Sequence, residues 1–92
     1  MSRKIVVTVL GQDQVGIVAR VATELAEARV NIEDINQKIL GSEIFAMTLL
    51  GDRAESELSL PQLSEALQDS VSGMGLEVRV QDAEVFRYMH RV

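Results

Sequence analysis

Cysteine and tryptophan are absent from this 92-residue chain, and it has a single histidine, His90. Without cysteine there is no disulfide framework, no thiolate metal site and no cysteine nucleophile. One histidine near the C-terminus leaves little for a zinc centre or a catalytic triad. Aromatic residues make up only 3% of the chain. The core must therefore be aliphatic, and the surface has little with which to stack bases or sugars. No stretch is dominated by Lys and Arg, and the net charge is −5, so phosphate backbones are disfavoured and nucleic acid is not an expected partner. Long hydrophobic runs are missing as well. The apolar stretch after the basic start Met1-Ser2-Arg3-Lys4 ends at Leu10, too short for a signal segment or a membrane span. The expectation is a cytoplasmic protein with no membrane partner.

The chain does have aliphatic residues, at 47% apolar content, enough for one core and one domain over residues 1–92. Ile5 to Leu10 is apolar on both faces apart from Thr8, the pattern of a central strand covered on two sides. From Gly16 onward Val18, Val21, Ala22, Leu25 and Ala28 recur at spacings of three and four, opposite Arg20, Thr23, Glu24 and Glu27, which predicts an amphipathic helix. Val30 to Leu40 reads as a short connector and a strand with one wet face, with a slip in the pattern between Ile32 and Ile35. Gly41-Ser42 predicts a two-residue hairpin turn of the Gly-led type II′. Glu43 to Leu50 is apolar on both faces apart from Thr48, so this strand is also expected to be central.

Gly51 to Ser59 is polar and reads as a loop. Ser59-Leu60-Pro61-Gln62 predicts a capping box at the start of a second helix, with Leu60, Leu63, Leu67 and Val71 on one face and Gly73 as its stop. Leu76, Val78 and Val80 alternate with Glu77, Arg79 and Gln81, giving a half-exposed fourth strand. Asp82 is placed to cap a short C-terminal helix carrying Val85, Phe86 and Met89, and His90 reads as a surface residue of a frayed tail. The order strand, helix, strand, strand, helix, strand predicts an α+β, ferredoxin-like βαββαβ fold: a four-stranded antiparallel sheet with two helices on one face. Two helices cover one face only. The doubly apolar strands then need the C-terminal helix, a second copy of the chain, or both, on the other face, and a homodimer is expected.

The stretch Gly11-Gln12-Asp13-Gln14-Val15-Gly16-Ile17-Val18 compresses a strand end, a polar loop and a helix start into eight residues. Backbone N–H groups at a helix start attract anions. The loop has no basic residue and carries Asp13, which turns it away from phosphate.

The pattern Gly11-x-Asp13-x-x-Gly16-Ile17-Val18, followed by Leu25-Ala26-Glu27 and Val30-Asn31-Ile32, resembles the ACT domain, a small-molecule regulatory module of amino-acid metabolism. Ile32-Glu33-Asp34-Ile35-Asn36-Gln37 is similar to the branch that holds the glycine-cleavage repressor and the N-terminal part of formyltetrahydrofolate deformylase, and the short chain resembles the stand-alone UPF0237 group. This resemblance covers the whole chain and implies the same βαββαβ order. It also implies an amino-acid effector held between the loop after the first strand and the segment entering the second, often across a subunit interface. On these residues it implies polar roles for Asp13 and Asn31 and backbone from Gly16, Ile17 and Val18 at the helix start, with Gly11, Gln12, Gln14 and Ile32 also among the ligand-binding residues. A zwitterion needs N–H donors for its carboxylate, which a helix start offers at about 0.3–1 kcal/mol from the dipole. It also needs an acceptor for its ammonium, which Asp13 offers. Two positions depart from the pattern: Gln14-Val15 stands where many ACT loops have Arg-Pro, and Arg29 where many have Gly.

Each of these residues has a plainer reading. Asp13 is also an ordinary N-cap residue. Gly11 and Gly16 are also turn and close-packing glycines, and Asn31 also suits the end of the first helix or the connector's local backbone. Asp34, Asn36 and Lys38 read as the solvated face of an edge strand. Glu33 and Asp34 are adjacent and point to opposite faces, which argues against a working carboxylate pair. The function expected is therefore a non-enzymatic regulatory module without a cofactor. It binds an amino acid or related metabolite as a homodimer and acts on a separate, unidentified protein. The alternative is an interaction module of the same fold without a ligand. Acylphosphatases and RNA-binding domains share the topology, but one needs a loop cation and the other strand aromatics, and strands one and three offer only Phe45.

Overall fold

The β-branched run after Lys4 forms β1 (Lys4–Gln12), and in the computed structural model, which describes residues 3–41 and 43–84, this strand is central. The remaining elements are α1 (Ile17–Glu27), β2 (Asn31–Leu40), β3 (Ile44–Asp52), α2 (Leu60–Ser70) and β4 (Leu76–Asp82). The sheet order is β2-β3-β1-β4 and every pairing is antiparallel. The fold is the expected ferredoxin-like one, with the two doubly apolar strands inside and the two half-polar strands at the edges. Gly11 and Gln12 lie within β1, so the polar loop is shorter than the sequence pattern suggests.

Ile5, Val7 and Val9 of β1, Phe45, Met47 and Leu49 of β3, and Leu76 and Val78 of β4 turn to the helices and are buried. They meet Ile17, Val21 and Leu25 of α1 and Leu63 and Leu67 of α2, residues spaced three to four apart on one helical face. α2 begins with the predicted capping box: Ser59 Oγ accepts the Gln62 N–H at 3.2 Å and Gln62 Oε1 accepts the Ser59 N–H at 2.9 Å. The hairpin between β2 and β3 is closed by the Glu43 N–H donating to the Leu40 carbonyl, with Gly41 at φ 61°. Ser42 is outside the described residues, as are the C-terminal helix expected around Val85, Phe86 and Met89 and the tail at His90. Asp82 accepts the Glu84 N–H at 2.8 Å, the contact expected of a cap at that point.

The slip between Ile32 and Ile35 is a β-bulge. The register with β3 shifts between Ile32 and Asp34, which leaves Glu33 as the extra residue. On the sheet face away from the helices, Val6 is buried, while Leu10, Leu40 and Ile44 are about half exposed.

Arg29 follows α1 with φ 64°, the left-handed conformation that a side chain disfavours by about 1–2 kcal/mol. Its ion pair with Glu55 spans 3.8 Å between mostly exposed side chains and contributes little. Arg29→Gly is therefore expected to stabilise the domain by about 1 kcal/mol, raising Tm by about 4–8 °C. A lower melting temperature in calorimetry would show that the left-handed turn is not under strain.

Candidate functional site

The loop after β1 is held at both ends by backbone and side-chain contacts. The Asp13 N–H donates to the Glu43 carbonyl at 2.7 Å, tying the loop to the β2–β3 hairpin. Gln14 Nε2 donates to the Gln12 carbonyl at 3.0 Å and to the Met74 carbonyl at 2.8 Å, bracing it against the turn before β4. Gln14, which departs from the family pattern, thus supplies a brace through its side chain. No periodicity or motif in the sequence signals this contact, because its partner is 60 residues away.

Asp13 is not the N-cap. Gly16 holds that position at φ 93°, and no side chain caps α1. Gln14 and Val15 separate Asp13 from the N-cap position at Gly16, so its carboxylate does not cap the first-turn N–H groups. Asp13 is exposed, and its side chain makes no hydrogen bond or ion pair among the described residues. The two glycines of the motif differ in their surroundings. At Gly16 an added Cβ would meet nothing within 4 Å, so the backbone at the helix start is open to approach. At Gly11 an added Cβ would lie 2.6 Å from Leu76 Cδ2 and 2.8 Å from the Gly75 carbonyl oxygen, so Gly11 serves packing. Ile17 is buried in the core, Val18 is half-buried, and Val15 at the loop tip is 98% exposed.

Asn31 does not end the first helix. α1 stops at Glu27, and Asn31 opens β2, paired with Asp52. Asp52 is in turn paired with Lys4, at the start of β1. Asp13 follows the far end of that same strand, so Asp13 and Asn31 sit at opposite ends of the sheet. Nine residues of strand at roughly 3.3 Å each separate their rows by about 30 Å. Gly11, Gln12, Asp13, Gln14, Gly16, Ile17 and Val18 are brought together at one end; Asn31 and Ile32 are at the other. A single chain does not assemble all nine residues around one small molecule.

The Asn31 end carries a charge cluster that no sequence motif marks. Lys4 Nζ reaches Glu33 Oε2 at 2.5 Å and Asp52 Oδ2 at 3.3 Å. The Glu33 contact, with help from Asp52, holds the Lys4 ammonium above its ordinary pKa. Asp52 is held below the usual carboxylate range, first by the Ala54 N–H at 2.8 Å and then by Lys4. The stabilisation from Asp52 is present above its unfolded pKa and lost as pH falls through the depressed folded value; that from Lys4 is present below its unfolded pKa and lost as pH rises through the raised one. In Lys4→Met, the Asp52 carboxyl carbon observed by NMR is expected to titrate at a higher pH than in the native chain yet still below an ordinary aspartate. An unchanged midpoint would remove Lys4 from the account, and a full return to the ordinary value would remove Ala54.

A concavity of about 470 Å³ lies on the face of the sheet away from the helices, lined by Asp34, Asn36, Lys38, Leu40, Ala46, Thr48 and Leu50. It touches none of the loop residues. Among the described residues no group of three or more His, Asp or Glu side chains is placed to hold a metal ion, and no helix is long and apolar enough to cross a membrane.

The fold is thus a six-element α+β sandwich with a polar loop entering an uncapped helix start. Residues 3–81 match the family model of the ACT domain, and this chain belongs to that family. It is similar along its length to the stand-alone UPF0237 proteins; one from Methanopyrus kandleri is 47% identical over 87 residues, covering 95% of this chain and 96% of the relative. Among solved structures, the ACT domain protein from Streptococcus pneumoniae superposes with a TM-score of 0.79 at 29% identity, over 94% of this chain and 96% of that one. The regulatory subunit of aspartate kinase from Thermus thermophilus shares the fold, with a TM-score of 0.67 at 23% identity over 88% of this chain and 52% of that one.

Proposed function

We propose that this chain is a non-catalytic regulatory module of the cytoplasm that binds an amino acid or related metabolite as a homodimer, and that each site takes its loop from one copy and its Asn31 from the other. The observation that carries this reading is the uncommitted pairing at the loop: an uncapped helix start at Gly16 beside an exposed Asp13 without a side-chain partner among the described residues. The helix start offers N–H groups to a carboxylate, and Asp13 offers an acceptor to an ammonium. The separation of Asp13 from Asn31 within one chain is the reason for a second copy. A two-fold axis turns one end of a sheet toward the opposite end of its partner, so it can bring together residues that one chain holds apart. The regulated protein is a separate chain, reached through the dimer.

The test is a thermal-shift screen of the proteinogenic amino acids and common folates. A ligand at about 100 times its Kd is expected to add about 2.7 kcal/mol. For a domain of this size that is a shift of more than about 10 °C. Asp13→Ala and Asn31→Ala should each abolish the shift and leave the dimer intact. Mixing the two variants should restore it in part, because each mixed dimer has one site with both residues native. No shift with any candidate, supported by calorimetry, would favour the second reading, an interaction module without a ligand. What supports that reading is Val15, an aliphatic side chain 98% exposed at the loop tip.

A further inference from the structure

The sheet face away from the helices is not evenly exposed. Val6 is only 8% exposed there, although α1 and α2 both pack against the other face. Its neighbours across the strands, Leu50 of β3 and Gln81 of β4, are half-buried. Two rows further along the same face Leu10 is 50% exposed, as are Leu40 and, nearly, Ile44. Val6 and Leu10 are both aliphatic and both belong to the central strand β1, so a face left wholly to water would expose them to similar degrees. A narrow cover over the row of Val6 explains the difference.

That row begins where the last strand ends. Val6 pairs with Gln81 on one side and Leu50 on the other, and Leu50 pairs with Asp34, so the row crosses β4, β1, β3 and β2 in turn. Directly after Gln81, Asp82 accepts the Glu84 N–H at 2.8 Å, and the backbone turns helical at Ala83 and Glu84. Residues 85–92 lie outside the described residues. In their sequence Val85, Phe86, Met89 and Val92 fall on one side of a helix, with Arg87, His90 and Arg91 on the other, and no Pro or Gly interrupts the run.

The dimensions match. Three helical residues rise about 4.5 Å, and neighbouring strands lie about 4.8 Å apart. A helix that leaves β4 at Ala83 and crosses the sheet therefore sets Phe86 over β1, Met89 over β3 and Val92 over β2, one apolar residue per strand. At about 10 Å across, it covers about three residues along each strand. That is enough for the rows of Val6 and Thr8 and not for the row of Leu10. We infer that residues 83–92 form a helical strap across the open face of the same chain's sheet, with Phe86 seated on Val6 and Met89 on Leu50. The chain's own C-terminal segment starts within two residues of the covered row. A second copy on this face would be drawn instead to Leu10, Leu40 and Ile44, the aliphatic side chains that remain exposed.

The strap is independent of the ligand reading. It covers part of the face that the sequence leaves to a C-terminal helix or a second copy, whereas the proposed homodimer rests on the composite site.

The test is a double-mutant cycle on the full chain, read by melting temperature. Phe86→Ala should lower Tm by about 10 °C. Arg87→Ala, on the outer side of the strap, should stay within about 4 °C of the native chain. Val6→Ala and Phe86→Ala together should lose clearly less than the sum of their separate losses, since each empties the same contact. Leu10→Ala and Phe86→Ala should simply add. Phe86→Leu serves the same cycle at smaller cost where the alanine variant does not fold. Both cycles are run at two protein concentrations about a hundredfold apart. A coupling between Val6 and Phe86 that is equal at both supports the strap. Additive losses at Val6 and Phe86, or a coupling to Leu10 in their place, overturn it. A coupling that fades on dilution overturns it too, because Phe86 would then lie on the sheet of a second copy. Each of these outcomes leaves the thermal shift by amino acids as a separate test of the ligand reading.

Discussion

Gly11→Ala is expected to destabilise the domain by about 3 kcal/mol, the upper end of the range for overpacking, and to lower Tm by more than about 10 °C. The added Cβ would lie 2.6 Å from Leu76 Cδ2 and 2.8 Å from the Gly75 carbonyl oxygen. A leucine side chain can rotate away, but a backbone carbonyl moves only with its turn. That turn is pinned on both sides, by Gln14 on the Met74 carbonyl and by Gln68 on the Leu76 carbonyl. Leu76→Ala in the same chain should therefore recover only part of the loss. Gly16→Ala provides the contrast, because nothing lies within 4 Å of its Cβ and its φ of 93° is the whole difficulty. Its cost should be about 1–2 kcal/mol. If Gly11→Ala melts with the native chain, the close approach of β1 to the β4 turn does not constrain the loop.

Leu63→Ala is expected to cost about 2–5 kcal/mol, with a loss of at least about 10 °C in Tm. Leu63 is 0% exposed and follows directly on the capping box, which sets the rotation of the helix that turns it into the core. Among the described residues the core is aliphatic apart from Phe45, and without cysteine the chain has no disulfide to offset a cavity. Leu60→Ala, half-buried on the same helix, should cost clearly less. Equal losses at the two positions would mean that the helix is not seated as described. Both measurements belong at one protein concentration, so that the proposed dimer contributes equally to the two variants.

The fold was legible in the sequence because burial writes itself into local pattern. Ile5 to Leu10 and Glu43 to Leu50 are apolar on both faces, and the structure makes both central; the alternating runs through Ile35 to Ile39 and Leu76 to Val80 became edges. Even the bulge at Glu33 showed as a slip in the alternation. The candidate site was legible in half. The loop residues and the helix start follow from residues that are neighbours in the chain. The reading of Asp13 as a cap failed because the distance to the helix start depends on where the strand ends, and β1 runs on to Gln12.

By itself the sequence determined the element order, the central and edge strands, the capping box and the aliphatic core, all of which depend on spacings of a few residues. Tertiary structure alone decided the rest. It set Asp13 and Asn31 at opposite ends of the sheet, because α1 returns the chain along the full length of β1 before β2 begins. It gave Gln14 and Gln68 their bracing roles, since a side-chain amide binds whatever carbonyl the fold delivers and leaves no trace in local pattern. It also bracketed the β4 edge with Gln68, while among the described residues β2 has no such bracket. It turned the Asp34, Asn36 and Lys38 series of β2 onto the sheet face away from the helices, because the pairing with Leu50, Thr48 and Ala46 of β3 fixes which way each residue points.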